Sequence, residues 1–260
     1  MLSEDGLLEK EGSRSAGRAG RLSGSALKLL GAFSMLIDHI GVVLIERGIL
    51  KSADPIKMSW ILRTEAGRHW WYVDRICRCV GRLAFPIFVY LLVEGAVHTR
   101  HRKAYGLRLL LFALLAEIPF DLALSGRWSY LGYQNVLFTL LFIYLTLCGI
   151  QASFQQPVRL LLWVLAGCGA AQVFRTDYGA FGVILAVLLY WTRGSGRQLM
   201  SGALLVALES CRTWGMAALA FIPLAFYDGK RGRWPGRYFF YVFYPAHLFV
   251  LYLVREHLLG

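Results

Sequence analysis

The sequence predicts an all-α fold, a polytopic transmembrane bundle of about nine helices. Hydrophobic residues make up 57% of the 260, and the mean hydropathy is +0.51. A soluble domain of this size cannot hide that much apolar surface. The apolar residues fall in helix-length runs without the apolar/polar alternation of a β-barrel. Short basic turns separate the runs, and no stretch between them is long enough for a separate globular domain.

Residues 1–26 are polar and rich in Ser, Gly, Ala and Arg, so they read as a disordered, basic, cytoplasmic tail. Residues 27–260 form the integral membrane domain. The first run, LKLLGAFSMLIDHIGVVLI, gives a helix over 27–46, close to the roughly 20 residues that cross the hydrocarbon core. No small-residue cleavage site follows it, so it reads as an uncleaved signal-anchor. Further apolar runs place helices over 80–98, 104–123, 134–151, 157–172, 178–192, 198–209, 214–227 and 238–255. The seventh and eighth are short and read equally as half-helices or a re-entrant hairpin, which lowers the count to eight.

Loop charge orients the bundle with its N-terminus inside and its C-terminus outside. The inner loops then hold Arg100, Arg102 and Lys103, then Arg193 and Arg197, then Lys230, Arg231, Arg233 and Arg237. The tail adds Lys10, Arg14, Arg18 and Arg21, while later outer loops hold little beyond Arg127, Arg175 and Arg212. The first outer loop, 47–79, resists the rule with Arg47, Lys51, Lys57, Arg63, Arg68, Arg75 and Arg78. Its segment WILRTEAGRHWWYVDRICR mixes Trp and Tyr with Arg, as a helix lying in the interface does. The formal net charge of +12 is thereby explained by topology, and nucleic acid is not expected as a partner. The cysteines (77, 79, 148, 168 and 211) show no metal-site spacing and read as small apolar residues; no metal is expected. No internal repeat is visible, which weakens a transporter reading.

Asp38 and His39 sit inside the first apolar run, where a charged group costs about 2.5–3.5 kcal/mol on insertion scales. His39 suits a general base, and its structural alternative is a hydrogen bond tying two helices. Consecutive helical residues point about 100° apart, so Asp38 cannot orient His39. An acidic partner for His39 comes from another helix, Glu117 or Asp121; Asp38 then faces a cation, with Arg82 best placed. Arg82 could equally be an interface anchor. Glu94 lies about 18 Å along the helix from Arg82, near the inner face, where it reads as a solvated end beside Arg100 and Lys103. Glu117 and Asp121, four apart around Pro119, repel unless one is protonated or a cation intervenes. Asn135, Asp177 and Tyr178 open helices on the same outer side, so polar residues of four helices are expected at one depth. His247, next to Tyr244 and Pro245, either lines a channel or makes a structural hydrogen bond.

MLIDHIG, GRLAFPIFVYLLVEG, RLLLFALLAEIPFDLA, QNVLFTL, DYGAFGV and YPAHLFVLY, in this order, resemble the TraX family over most of the chain from residue 27. The resemblance implies an integral membrane acyltransferase whose founding activity is N-terminal acetylation of a conjugative pilin subunit, with acetyl-CoA as donor. It implies His39 as the catalytic histidine and Asp38, Arg82, Glu117, Asp121, Asn135, Asp177 and His247 as site residues. Amide formation needs a base, because an α-amine with a pKa near 8 is mostly protonated at neutral pH. It also needs a donor to the developing oxyanion, for which Arg82, Asn135 and Tyr178 are available. The acceptor is expected to be a peptide or small-molecule amine, with Tyr244 and His247 beside it. The CoA phosphates are expected at Arg100, Lys103, Lys230, Arg231 and Arg233, so the thioester must reach up through the bundle. The expected setting is the bacterial inner membrane, multi-pass in the lipid bilayer. The competing reading is a proton-coupled transporter using the same Asp, His and Glu as a relay.

Overall fold

The computed structural model describes residues 22–210, 215–233, 236 and 238–259. Residues 1–21 of the expected tail, Cys211, Arg212 and Arg237 lie outside them. The described residues are all-helical, with two isolated bridges and no strand.

Helix α1 starts at Ser23, whose hydroxyl accepts from the Ala26 N–H at 3.3 Å. It runs Gly24–His39 and then continues as a π-helix over Ile40–Ile49. Asp54 caps the short α2, Pro55–Ile61, and Thr64 caps α3, Glu65–Gly81. After two residues α4 follows as Ala84–His98.

This stretch departs from the expected loop at 47–79. Glu65–His98 is a 34-residue helical run, and Gly24–Ile49 a 26-residue one; both are long and apolar enough to cross a membrane. The two pack antiparallel. Gly31 meets Phe88 and Ile87, the Ser34 hydroxyl donates to the Val80 carbonyl at 2.6 Å, Asp38 meets Arg78, and Gly41 meets Cys77 and Asp74. A Cβ on Gly81 would fall on the Asp38 carboxyl, so only glycine fits there. Arg75 and Arg78 therefore belong to a helix whose neighbours neutralise them: Arg75 pairs with Asp74 and lies 3.8 Å from Glu46, and Arg78 pairs with Asp38. The apparent excess of loop charge shrinks accordingly.

The rest follows the apolar runs closely: α5 Arg102–Ser125, α6 Val136–Ala152, α7 Pro157–Val173, α8 Gly179–Trp191 and α9 Gln198–Glu209. The helix expected over 214–227 is instead a 3₁₀ turn, Met216–Ala220, joined to the five-residue α10, Phe221–Ala225. These ten residues reach only about 17 Å, roughly half a hydrocarbon core. The chain ends in α11, Phe239–Leu258, which packs along α5 and the π-helix.

Ile87, Val89, Val93, Ile143, Leu147, Leu185 and Leu189 are fully buried between these helices. The outward faces are apolar too: Leu107, Leu111, Leu114, Leu115 and Ile118 on α5, and Val158, Leu161, Leu162 and Leu165 on α7 are all exposed. Water would not tolerate such continuous apolar faces on a soluble monomer. The chain has the surface of a membrane protein.

The start of α1 is fastened to the loop before α11. Leu22 N–H donates to the Phe226 carbonyl and Asp228 N–H to the Leu22 carbonyl, both at 3.0 Å. Gly24 N–H reaches the Lys230 carbonyl at 2.8 Å, and the Ser25 hydroxyl reaches the Arg231 carbonyl at 2.9 Å. Residues 22–26 are thus structured, unlike the tail to which their composition assigned them.

Candidate active site

A cavity of about 820 Å³ runs inside the bundle between α1, α4, α5, α6 and α11. Its wall follows α1 from Gly24 to His39, about 22 Å at 1.5 Å per residue. The two ends differ in chemistry. One holds Asp38, His39, Asp177, Tyr178 and Tyr244; the other holds Lys28, Arg100, Arg108, Arg231 and Arg233. Phe85, Phe88, Leu92, Leu137 and Leu140 contribute an apolar wall.

His39 is buried on this wall, and behind it stands His247 of α11. Their Nδ1 and Nε2 atoms are 2.6 Å apart, and the rings stack with centroids at 4.9 Å. His247 Nδ1 lies 2.6 Å from the Phe243 carbonyl. A carbonyl only accepts, so His247 carries its hydrogen on Nδ1 and presents a lone pair on Nε2. With both rings neutral, His39 Nδ1–H donates into that lone pair. The remaining lone pair of His39 is then on Nε2. In place of the expected acidic partner, Glu117 or Asp121, stands a histidine two residues past Pro245 in the last helix. Histidine is uncharged at rest, which avoids burying a carboxylate in the bundle.

Asp38 points to a different helix from His39, as their helical offset requires. Its carboxylate accepts from Arg78 Nη1 at 2.6 Å, not from Arg82, because Arg78 on α3 lies directly opposite and Arg82 is beyond the helix end. Arg82 instead lies within the field of the Tyr178 hydroxyl, and Tyr178 stacks on Phe85 with centroids 3.4 Å apart. Asp177, in the loop before α8, accepts a hydrogen bond from the Tyr133 hydroxyl. Burial raises its pKa above the ordinary carboxylate range, while the Tyr133 bond and the Arg82 charge pull the other way. One oxygen of Asp38 is buried without a hydrogen-bond partner among the described residues.

Glu117, Asp121 and Asn135 stand off the cavity wall. Asn135 is fully buried and caps α6, accepting from Leu137 N–H at 3.0 Å and donating to the Ala113 carbonyl at 2.9 Å and to the Glu117 carboxylate. Asp121 accepts from the Tyr130 N–H at 2.6 Å and braces the following loop. The two acids, expected to repel, take separate hydrogen-bond donors, Asn135 for Glu117 and the Tyr130 N–H for Asp121. Asn135 and Glu117 thus join α5 to α6, while Asp121 joins α5 to the loop that follows it. Glu94 is likewise not a free helix end: Arg193 bonds both its oxygens, at 2.8 and 3.3 Å.

At the basic end Arg100, Arg231 and Arg233 line the cavity as the sequence suggested, whereas Lys103 and Lys230 are exposed and outside the wall. Sequence reasoning missed Arg78, Lys28 and Arg108. Each is a cation near the end of a helix, the pattern that also marks topology.

The family profile described as TraX protein matches residues 23–255, nearly the whole described chain. The chain belongs to the TraX family. A relative, "Probable fimbrial assembly protein FimC, serogroup H1" of Dichelobacter nodosus, is 30% identical over 250 residues, covering 86% of this chain and 92% of its own length. No solved structure matches this TraX chain.

Proposed function

We propose that the protein is an acyltransferase of the bacterial inner membrane, crossing it several times with its N-terminus inside and its C-terminus outside. It moves an acetyl group from acetyl-CoA to an amine, such as the N-terminus of a pilin-like or other exported peptide. The TraX family and the fimbrial assembly relative support a role tied to pilins. The single observation that carries the chemistry is the cavity joining His39 to a basic end about 22 Å away. Its volume falls within the roughly 300–1,000 Å³ of ligand pockets, and its cations suit the phosphates of CoA.

Acetyl-CoA supplies the activated thioester carbonyl. His39 Nε2 takes a proton from the acceptor ammonium, freeing the nitrogen lone pair to attack. The carbon–nitrogen bond forms, the carbon–sulfur bond breaks, and the thiolate leaves with the electron pair. The second proton of the attacking nitrogen passes to that thiolate, giving amide and CoA thiol, and His39 later releases the first proton to solvent. His39, now an imidazolium, keeps its Nδ1–H on His247 Nε2, so the new charge meets an acceptor already in place. Tyr178 lines the cavity with Arg82 behind it, and its hydroxyl is the donor proposed for the carbonyl oxygen as it gains charge.

The test is acetyl transfer by purified protein to a synthetic peptide amine, read as a mass gain of one acetyl group. His39→Ala should abolish transfer while the protein still inserts and melts cooperatively. Transfer by His39→Ala near the wild-type rate would overturn the reading. A proton-coupled carrier would transport without consuming acetyl-CoA. Mass spectrometry of exported peptides from cells with and without the gene identifies the acceptor.

A further inference from the structure

Five cations line the basic end of the cavity, and they are not equivalent. Arg100, Arg231 and Arg233 come from loops and are exposed. Lys28 of α1 and Arg108 of α5 project from helices and are only partly exposed. Among the described residues neither has a carboxylate partner. Arg108 Nε is buried with no hydrogen-bond partner; the guanidinium lies 5.6 Å from the Tyr105 ring and against the Tyr241 hydroxyl. Lys28 sits over the Phe240 ring at 5.9 Å and within the field of Arg231. Of the acids that line the cavity, Asp38 and Asp177 lie at the His39 end, and Glu94 is already taken by Arg193.

Partly buried cations that line one cavity end without an acid partner are unfavourable in an empty site. The usual way to satisfy such a set is an anion with several oxygens. The hydrogen bonds from Leu22, Gly24 and Ser25 to the 226–231 segment hold the Arg231 backbone beside the first turn of α1. Tyr105, Tyr241 and Phe240 wall the same space and have flat faces to offer a base or an acyl stem.

We propose that Lys28 and Arg108 clamp a phosphate or diphosphate group within the bundle, and so select ligands that carry one at the far end from His39. The site is specific for the anion, not for the acyl group. For the identity of the molecule, the diphosphate of the acyl donor, the inference rests on the acyltransferase reading. The phosphate of an anionic lipid headgroup has the same chemistry and is the other source.

The test measures binding alone, with purified full-length protein in nanodiscs and unacetylated CoA as the probe. Lys28→Gln and Arg108→Gln should each raise the Kd for CoA about tenfold or more, because each removes a charge-assisted contact. Lys28→Arg and Arg108→Lys should stay within about threefold of wild type, and Lys103→Gln, off the wall, should bind as wild type. Pantetheine, which lacks the diphosphate, should bind weakly and equally to all variants. A second arm compares thermal stabilisation by phosphatidylglycerol over phosphatidylcholine nanodiscs. If the Gln variants lose that stabilisation while CoA binding is unchanged, the clamp holds and its phosphate is a lipid's. If both CoA affinity and lipid stabilisation survive in Lys28→Gln and Arg108→Gln, the clamp is refuted. Wild-type protein that binds no CoA at all would sink the acyltransferase reading instead, leaving the clamp to be judged by the lipid arm. Melting of the unliganded proteins separates loss of binding from loss of fold, and the charge-keeping variants preserve the test if a Gln variant does not fold.

Discussion

Replacing His247 with phenylalanine isolates the histidine pair. Phenylalanine keeps a flat ring between Phe243 and His39, whose centroids lie 4.7 and 4.9 Å from that of His247. It removes the Nε2 acceptor 2.6 Å from His39 Nδ1. Two losses follow. His39 no longer has its hydrogen pinned on Nδ1, so part of the population presents N–H rather than a lone pair toward the cavity. The imidazolium formed during transfer also loses a hydrogen bond to a charged donor, worth about 1.5–3 kcal/mol. At 1.36 kcal/mol per decade, the second loss alone lowers kcat about 10- to 150-fold. His247 is not on the cavity wall, so KM for acetyl-CoA should change by less than about twofold. His247→Gln restores an acceptor near the lost nitrogen and should recover about tenfold of the deficit. Steady-state kinetics of peptide acetylation in nanodiscs, with both substrates varied, read the split between kcat and KM. A phenylalanine variant within about threefold of the wild-type kcat, or a glutamine variant no better than phenylalanine, would refute the tautomer argument.

Arg78 and Asp38 are 22% and 21% exposed in their pair, so Arg78→Ala should lower stability by about 2 kcal/mol, less than a fully buried pair would lose. Melting of Asp38→Ala/Arg78→Ala should show less destabilisation than the two single changes summed, because no orphan carboxylate remains. Asp177 titrates higher in the folded chain than in the unfolded one, so the folded chain binds more protons and loses stability as pH rises through that range. Asp177→Asn removes that penalty and keeps an acceptor for Tyr133; it should melt at or above wild type at pH 7.5, with the gap closing below about pH 4. A variant less stable than wild type at neutral pH would contradict the sign. Reporter fusions after Leu259 should report the outer side; an inner signal would mean that the half-length segment 216–225 changes the crossing count.

The helices were legible wherever apolar runs stood between basic turns, and α9 was placed at 198–209 by both sequence and structure. Glu65–Gly81 was harder, because a helix carrying Arg68, Arg75 and Arg78 looks polar until Asp38, Asp74 and Glu46 are seen to neutralise it. His39 stood out because an ionisable group in an apolar run has few bland explanations. Its partner did not, since 208 residues separate His39 from His247 and charge logic favoured a carboxylate. Glu117 and Asn135 share a depth with the site, but rotation about their helices turns them to each other, and depth alone carries no information about rotation. Lys28 and Arg108 were hidden by their position near helix ends, where a cation serves orientation as readily as binding.

The hydrogen bonds between residues 22–25 and 226–231 join parts of the chain more than 200 residues apart in synthesis order. Among the described helices α1 leaves the ribosome before the others, and the segment that covers its start is made after all of them but α11. Contacts of such long sequence separation form late, because the intervening chain must be placed before they repay the loss of freedom. A nascent protein would carry His39 in a preformed helix long before either His247 or the loop holding Arg231 exists. Completion of the last helix therefore assembles both ends of the cavity together, and a chain stopped before residue 226 would insert its early helices without acquiring a site.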